Sequence, residues 1–142
     1  MSKAQSIAWL MLVLTTCVLL LPGSAIAAIA ALLEPAFDSL RAWKSTWWPW
    51  PVSDPGSSGL ALDKVSHFFL FALCGALFFR AWQFNLGLVR ILAILLAFGV
   101  ATEIAQYFIP GRSMSVGDMI ADAVGLATGI FIYANIRRIK AA

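Results

Sequence analysis

Charge is the scarcest commodity in this sequence: only 12% of its 142 residues are Asp, Glu, Lys or Arg. A water-soluble domain carries about twice that share, because its surface must meet water. With 61% hydrophobic residues, the chain is excluded as an independent soluble enzyme, a disordered segment or a collagenous one. Cysteine is equally sparse. Cys17 and Cys74 each sit inside an apolar run, with neither the paired spacing of a disulfide framework nor a CxxC clip, and both read as inert buried thiols. There is one histidine in the whole chain, so no multi-histidine metal centre can be assembled; no metal and no cofactor are expected. The net charge of +3 comes from Lys and Arg scattered singly between apolar runs. Without a basic stripe, nucleic acid is excluded as a partner.

What is abundant is apolar length. A bilayer core of about 30 Å is crossed by about 20 helical residues, each satisfying its own backbone. Four stretches qualify: 6–33, interrupted by Pro22-Gly23, then 65–82, 88–109 and 116–136. The expected fold is all-α, a single membrane-embedded four-helix domain over 1–142 whose first helix is kinked. The beginning also resembles a secretory signal, with Lys3, an apolar run to Leu21 and Ala25-Ile26-Ala27. Because apolar character continues to Leu33, a retained helix is the better reading.

Basic residues orient the bundle. With four crossings, Lys3, Arg80, Arg90, Arg137, Arg138 and Lys140 share one side, free of acidic residues, whereas Arg41, Lys44, Lys64 and Arg112 share the other with the acidic residues. The expected topology has both termini cytoplasmic. The first connection then faces outward. Across 34–51 it interleaves Phe37, Leu40, Trp43, Trp47, Trp48 and Trp50 with Asp38, Arg41 and Lys44. Spacings of three and four predict a short amphipathic helix lying on the outer surface and ended by Pro49 and Pro51. Its rings serve as anchors, or as a platform for a lipid-linked sugar. Residues 54–59, Asp-Pro-Gly-Ser-Ser-Gly, read as a flexible turn.

The polar residues inside the apolar stretches fall at one depth. Asp63, Lys64 and His67 open the second stretch; Glu103 and Gln106 lie about 9 and 4.5 Å inside the end of the third; Asp118 and Asp122 lie about 3 and 9 Å into the fourth. Arg112 sits in the turn between the last two. Asp63 with His67, Glu103 with Gln106, and Asp118 with Asp122 each share a helix face by their spacing. A charge in mid-bilayer costs about 2.5–3.5 kcal/mol, so three helices would not each expose one to lipid at the same level. A joint polar cluster is expected, with Glu103 and Asp122 accepting from Arg112, Lys64 or His67 and with Gln106 linking them. Plainer readings stand beside it. Asp118 follows Ser115 at capping-box spacing, and Asp63 could cap its helix. Ala121, Gly125 and Gly129 form a small-residue stripe for close helix packing, against this chain or a second copy or partner.

These motifs taken together carry a resemblance. Asp63-Lys64-Val65-Ser66-His67-Phe68-Phe69, then Glu103-Ile104-Ala105-Gln106, then Pro110-Gly111-Arg112-Ser113-Met114-Ser115 leading to Gly117-Asp118 and to Asp122, Gly125 and Gly129, resembles the VanZ-like family over residues 62–132. Where that family often has asparagine, this chain has Asp122. The resemblance implies a small polytopic protein of the bacterial plasma membrane and cell envelope, in a family named for a member associated with teicoplanin resistance. Two functions are expected as alternatives. One is a non-enzymatic protein whose outer polar cluster binds an anionic lipid, a lipid-linked wall precursor or a partner. The other is a hydrolase or transferase acting on a lipid phosphate, with His67 as a base oriented by Asp63 or Glu103 and with Arg112 holding charge. The chain offers no serine or cysteine nucleophile placed with a matching base, which weighs against the enzyme.

Overall fold

The computed structural model describes residues 1–47 and 58–141. Five helices follow one another: α1 (Lys3–Leu19), α2 (Gly23–Trp47), α3 (Ser58–Trp82), α4 (Gly87–Tyr107) and α5 (Val116–Ala141). Asp63–Trp82, Gly87–Tyr107 and Val116–Lys140 are each long and apolar enough to cross a membrane; α1 and the first part of α2 pass only as a pair, bent by 94°. The chain is an all-helical membrane protein. Outward-facing Phe69, Val89, Val124 and Phe131 are exposed, as lipid contact requires and water would not permit in such number.

The first segment departs from the expected single kinked helix over 6–33. Leu21 precedes proline and is disfavoured in the α region, and Pro22 has no N–H to continue the ladder, so α1 ends at Leu19. Pro22 then supplies its carbonyl to the N–H groups of Ala25 and Ile26, starting α2 in a new direction. Consequently the helix expected over 34–51 has no start of its own at Glu34. It is the continuation of α2, which runs through Pro35 to Trp47. Residues 31–36 are exposed, so the carbonyl at 31 that loses its helical partner to Pro35 still reaches the surroundings. The expected rings at Trp48 and Trp50, and the turn at 54–57, lie outside the described residues. Ser58 and Gly59, expected in that turn, belong to α3.

α3 and α5 form the tightest pair. A Cβ at Gly129 or Gly125 would collide with the backbone carbonyls of Ala72 and Phe68, and one at Gly75 would lie 2.7 Å from the Leu126 carbonyl. Three glycines thus let the two backbones nearly touch. The stripe of Gly125 and Gly129 is therefore spent on α3 of the same chain, while Ala121 is half-buried. Phe71, Phe78, Leu95 and Leu126 fill the core between α3, α4 and α5, with Leu19 and Ala8 brought in by α1.

The two ends of the bundle differ. At one, the edge-on ring of Trp9 lies 5.7 Å from Phe78 and 5.9 Å from Trp82, and Arg137 Nη1 donates to Gln83 at 2.9 Å. Here the amino-terminal part of α1, the α3–α4 turn and the end of α5 meet. The other end gathers the close of α1 and α4 with the opening of α3 and α5. Lys3 and the close of α5 therefore lie at the same end of the bundle. The cysteines also separate. Cys74 is buried, with Sγ 3.3 Å from Thr15 Oγ1, whereas Cys17 is exposed, contrary to the expectation of two buried thiols. An apolar run within a membrane helix buries only the face turned inward, and Cys17 is on the other.

Candidate functional site

Helix geometry first explains why the polar groups meet. Asp63 and His67 are one turn apart on α3, Glu103 and Gln106 nearly so on α4, and Asp118 and Asp122 on α5. Because α3 and α5 are held at glycine distance, His67 and Asp122 are brought into direct contact. His67 Nδ1 lies 2.9 Å from Asp122 Oδ1 and 3.7 Å from Glu103 Oε1. Gln106 Nε2 donates to the Leu19 carbonyl at 3.0 Å and stands 3.4 Å from His67 Nε2. His67, Glu103 and Gln106 are wholly shielded, and Asp122 is 2% exposed. The deep layer thus draws on α1, α3, α4 and α5.

A rim lies above it. Lys64 Nζ pairs with Asp118 Oδ1 at 3.3 Å, and Arg112 Nη1 with Asp63 Oδ1 at 3.0 Å. Lys64 is the more open of the two cations, at 43% side-chain exposure against 7% for Arg112. The structure brings these residues together and selects among the expected donors: Glu103 and Asp122 turn to His67, while Arg112 and Lys64 are taken by Asp63 and Asp118. Depth decides this: each long cation reaches the carboxylate at its own level, leaving the deeper pair to the histidine, which sits one turn further down α3.

Two capping expectations are corrected by the same contacts. α3 begins at Ser58, so Asp63 is already in its second turn and is a partner of Arg112, not a cap. The Ser115 N–H, which a capping box would give to Asp118, is instead taken by Glu103 Oε2 at 2.8 Å, and the Asp118 carboxylate faces Lys64. Glu103 therefore caps α5 from another helix, where the dipole favours a negative charge.

Space for the cluster is made by glycines, of which the sequence did not single out Gly99. A Cβ at Gly99 would sit 3.0 Å from Asp122 Oδ2, and one at Gly117 would sit 2.7 Å from Lys64 Cε. Likewise Gly23 and Gly111 press together, Gly111 with a positive φ of 75° that strains other residues, and the Gly23 N–H donates to the Pro110 carbonyl at 3.1 Å. The break after α1 is thereby pinned to the α4–α5 turn that carries Arg112.

Chemically, the centre is rich in acceptors and unevenly satisfied. Glu103 Oε1, Gln106 Oε1 and Asp122 Oδ2 are buried without a hydrogen-bond partner, and so is Arg112 Nε on the donor side. Two groups have metal-ligating atoms all within 4.8 Å of one another: His67 with Glu103 and Asp122, and His67 with Asp63 and Asp118. The second group is already neutralised by Lys64 and Arg112; the first is not.

A family model described as VanZ/LLP1 matches residues 7–137, nearly the entire chain and well beyond the 62–132 of the motifs. No curated protein and no solved structure matches.

Proposed function

The chain belongs to the VanZ/LLP1 family, and from that premise we propose that it is a non-enzymatic protein of the bacterial plasma membrane whose rim binds the phosphate of an anionic lipid or lipid-linked wall precursor. In this reading both termini are cytoplasmic, the rim lies at the outer leaflet, and occupancy alters susceptibility to glycopeptides such as teicoplanin. The observation that carries it is Arg112: its guanidinium has one nitrogen on Asp63, while Nε is buried with no acceptor. A shielded guanidinium N–H without a partner is costly, and a phosphate oxygen is the acceptor its planar geometry suits. Lys64, half open beside it, supplies a second positive charge at headgroup level. The test compares strains expressing the parent chain and Arg112→Ala, with membrane insertion checked by immunoblot. Arg112→Ala should lose the glycopeptide phenotype and weaken binding to anionic-lipid vesicles at least tenfold. Unchanged susceptibility and vesicle binding would refute the assignment.

One contact favours a second reading, a hydrolase or transferase acting on a lipid phosphate. His67 held at 2.9 Å by Asp122 has the geometry of an oriented general base. Incubating purified protein with a labelled lipid-linked precursor separates the two, since only an enzyme turns it over.

A further inference from the structure

The deep layer presents a charge problem that no neighbouring cation solves. Lys64 and Arg112 are each paired with a rim carboxylate, leaving Glu103 and Asp122, 0% and 2% exposed, to face one imidazole. Two buried carboxylates carry two formal negative charges. In a low-dielectric interior such an excess is strongly unfavourable, and it is relieved either by protons or by a cation of matching charge among the carboxylates. His67, Glu103 and Asp122 each offer a ligand atom within 4.8 Å of the others, and two of the unpartnered oxygens belong to these residues. Glu103 commits Oε2 to the Ser115 N–H and presents Oε1 to His67 Nδ1 at 3.7 Å, with no hydrogen bond of its own. Asp122 Oδ1 lies 2.9 Å from the same nitrogen, and Asp122 Oδ2 is likewise without a partner.

We propose that His67, Glu103 and Asp122 form a binding site for one divalent transition-metal cation, of the kind that accepts both imidazole and carboxylate ligands, such as Zn²⁺ or Mn²⁺. Ligands about 2.0–2.2 Å from an ion stand roughly 3–4 Å from one another, and the two measured separations of 2.9 and 3.7 Å fall at that scale. A dication and two carboxylates sum to zero, so the loaded centre is neutral with both carboxylates ionised. One nitrogen and two oxygens suit borderline ions, whereas an all-oxygen set would favour Mg²⁺ or Ca²⁺. The sequence hid this site, because a single histidine excludes multi-histidine centres but not a mixed one assembled from three helices. It stands on residues below the rim and goes beyond the phosphate reading.

The chain's single histidine makes the test direct. Protein purified with an affinity tag lacking histidine, labelled with ¹⁵N-imidazole histidine and held in detergent micelles, is titrated with Zn²⁺ while the His67 nitrogens are followed by NMR. The proposal expects a shift of the Nδ1 resonance that saturates at one equivalent, and at least a tenfold weaker midpoint in Glu103→Gln and Asp122→Asn. The parent chain alone suffices if those variants do not fold. A His67 signal unmoved by excess Zn²⁺, or a folded Glu103→Gln that titrates like the parent, would overturn it. A parent chain that does not bind anionic-lipid vesicles, or an Arg112→Ala variant that binds them like the parent, with the Zn²⁺ response intact would support the metal site and count against the phosphate reading alone.

Discussion

Replacing Gly129 by alanine is the sharpest probe of how the site is held together. The added methyl would be driven into the Ala72 carbonyl, a backbone atom in the middle of α3 that has no rotamer by which to escape. The helices must separate instead. Overpacking of this kind costs about 1–3 kcal/mol, and a rigid backbone neighbour places Gly129 in the upper part of that span. Against it stands the roughly 1 kcal/mol by which alanine is the better helix former. The expected net loss is therefore about 1–2 kcal/mol, and a local parting of α3 from α5 two turns from the His67–Asp122 contact. Equilibrium unfolding in mixed detergent micelles, followed by circular dichroism, reads the first quantity. A Gly129→Ala variant that unfolds at the parent's denaturant concentration or above it would refute the close approach of α3 and α5, and with it the reason these two side chains meet.

Two further outcomes follow from neighbouring contacts. Gln106→Leu should lower stability by about 1–3 kcal/mol, because the Leu19 carbonyl loses its donor inside a shielded centre; an unchanged thermal midpoint would show that another group satisfies it. The two left-handed glycines form a matched pair, since Gly87 has open space around it while Gly111 abuts Gly23. Gly87→Ala should cost about 1–2 kcal/mol from backbone strain alone, and Gly111→Ala more, as a difference in thermal midpoint; equal losses would mean that the Gly23 contact carries no weight.

The class of fold was readable because lipid imposes a length and a polarity on every crossing, and three of the four expected stretches match helices long and apolar enough to cross. The level of the polar residues was readable for the same reason: rise per residue converts position into depth. Partner choice was not. Glu103 with Ser115 and Gln106 with Leu19 use backbone groups, which leave no mark in side-chain patterning. Arg112, Lys64 and His67 stand in the sequence as alternative donors to the deeper carboxylates, since spacing along a helix says nothing about which of several acidic groups on other helices a long side chain reaches first. The turn of 94° after α1 was half visible. Pro22 marks an interruption, but its angle depends on Gly23 seating against Gly111, a contact between residues far apart in the chain.

The carbonyl of Leu19 is free to serve Gln106 only because α1 stops there. Where the first helix ends is thus also a component of the polar centre, and the two cannot be changed separately. One residue inserted ahead of Pro22 would turn that carbonyl about 100° around the helix axis and carry it off its donor. Chain length before the proline is accordingly under the same constraint as the identity of the buried side chains, and exchanging α1 for an equally apolar helix of different phase would leave an insertable protein with a broken centre.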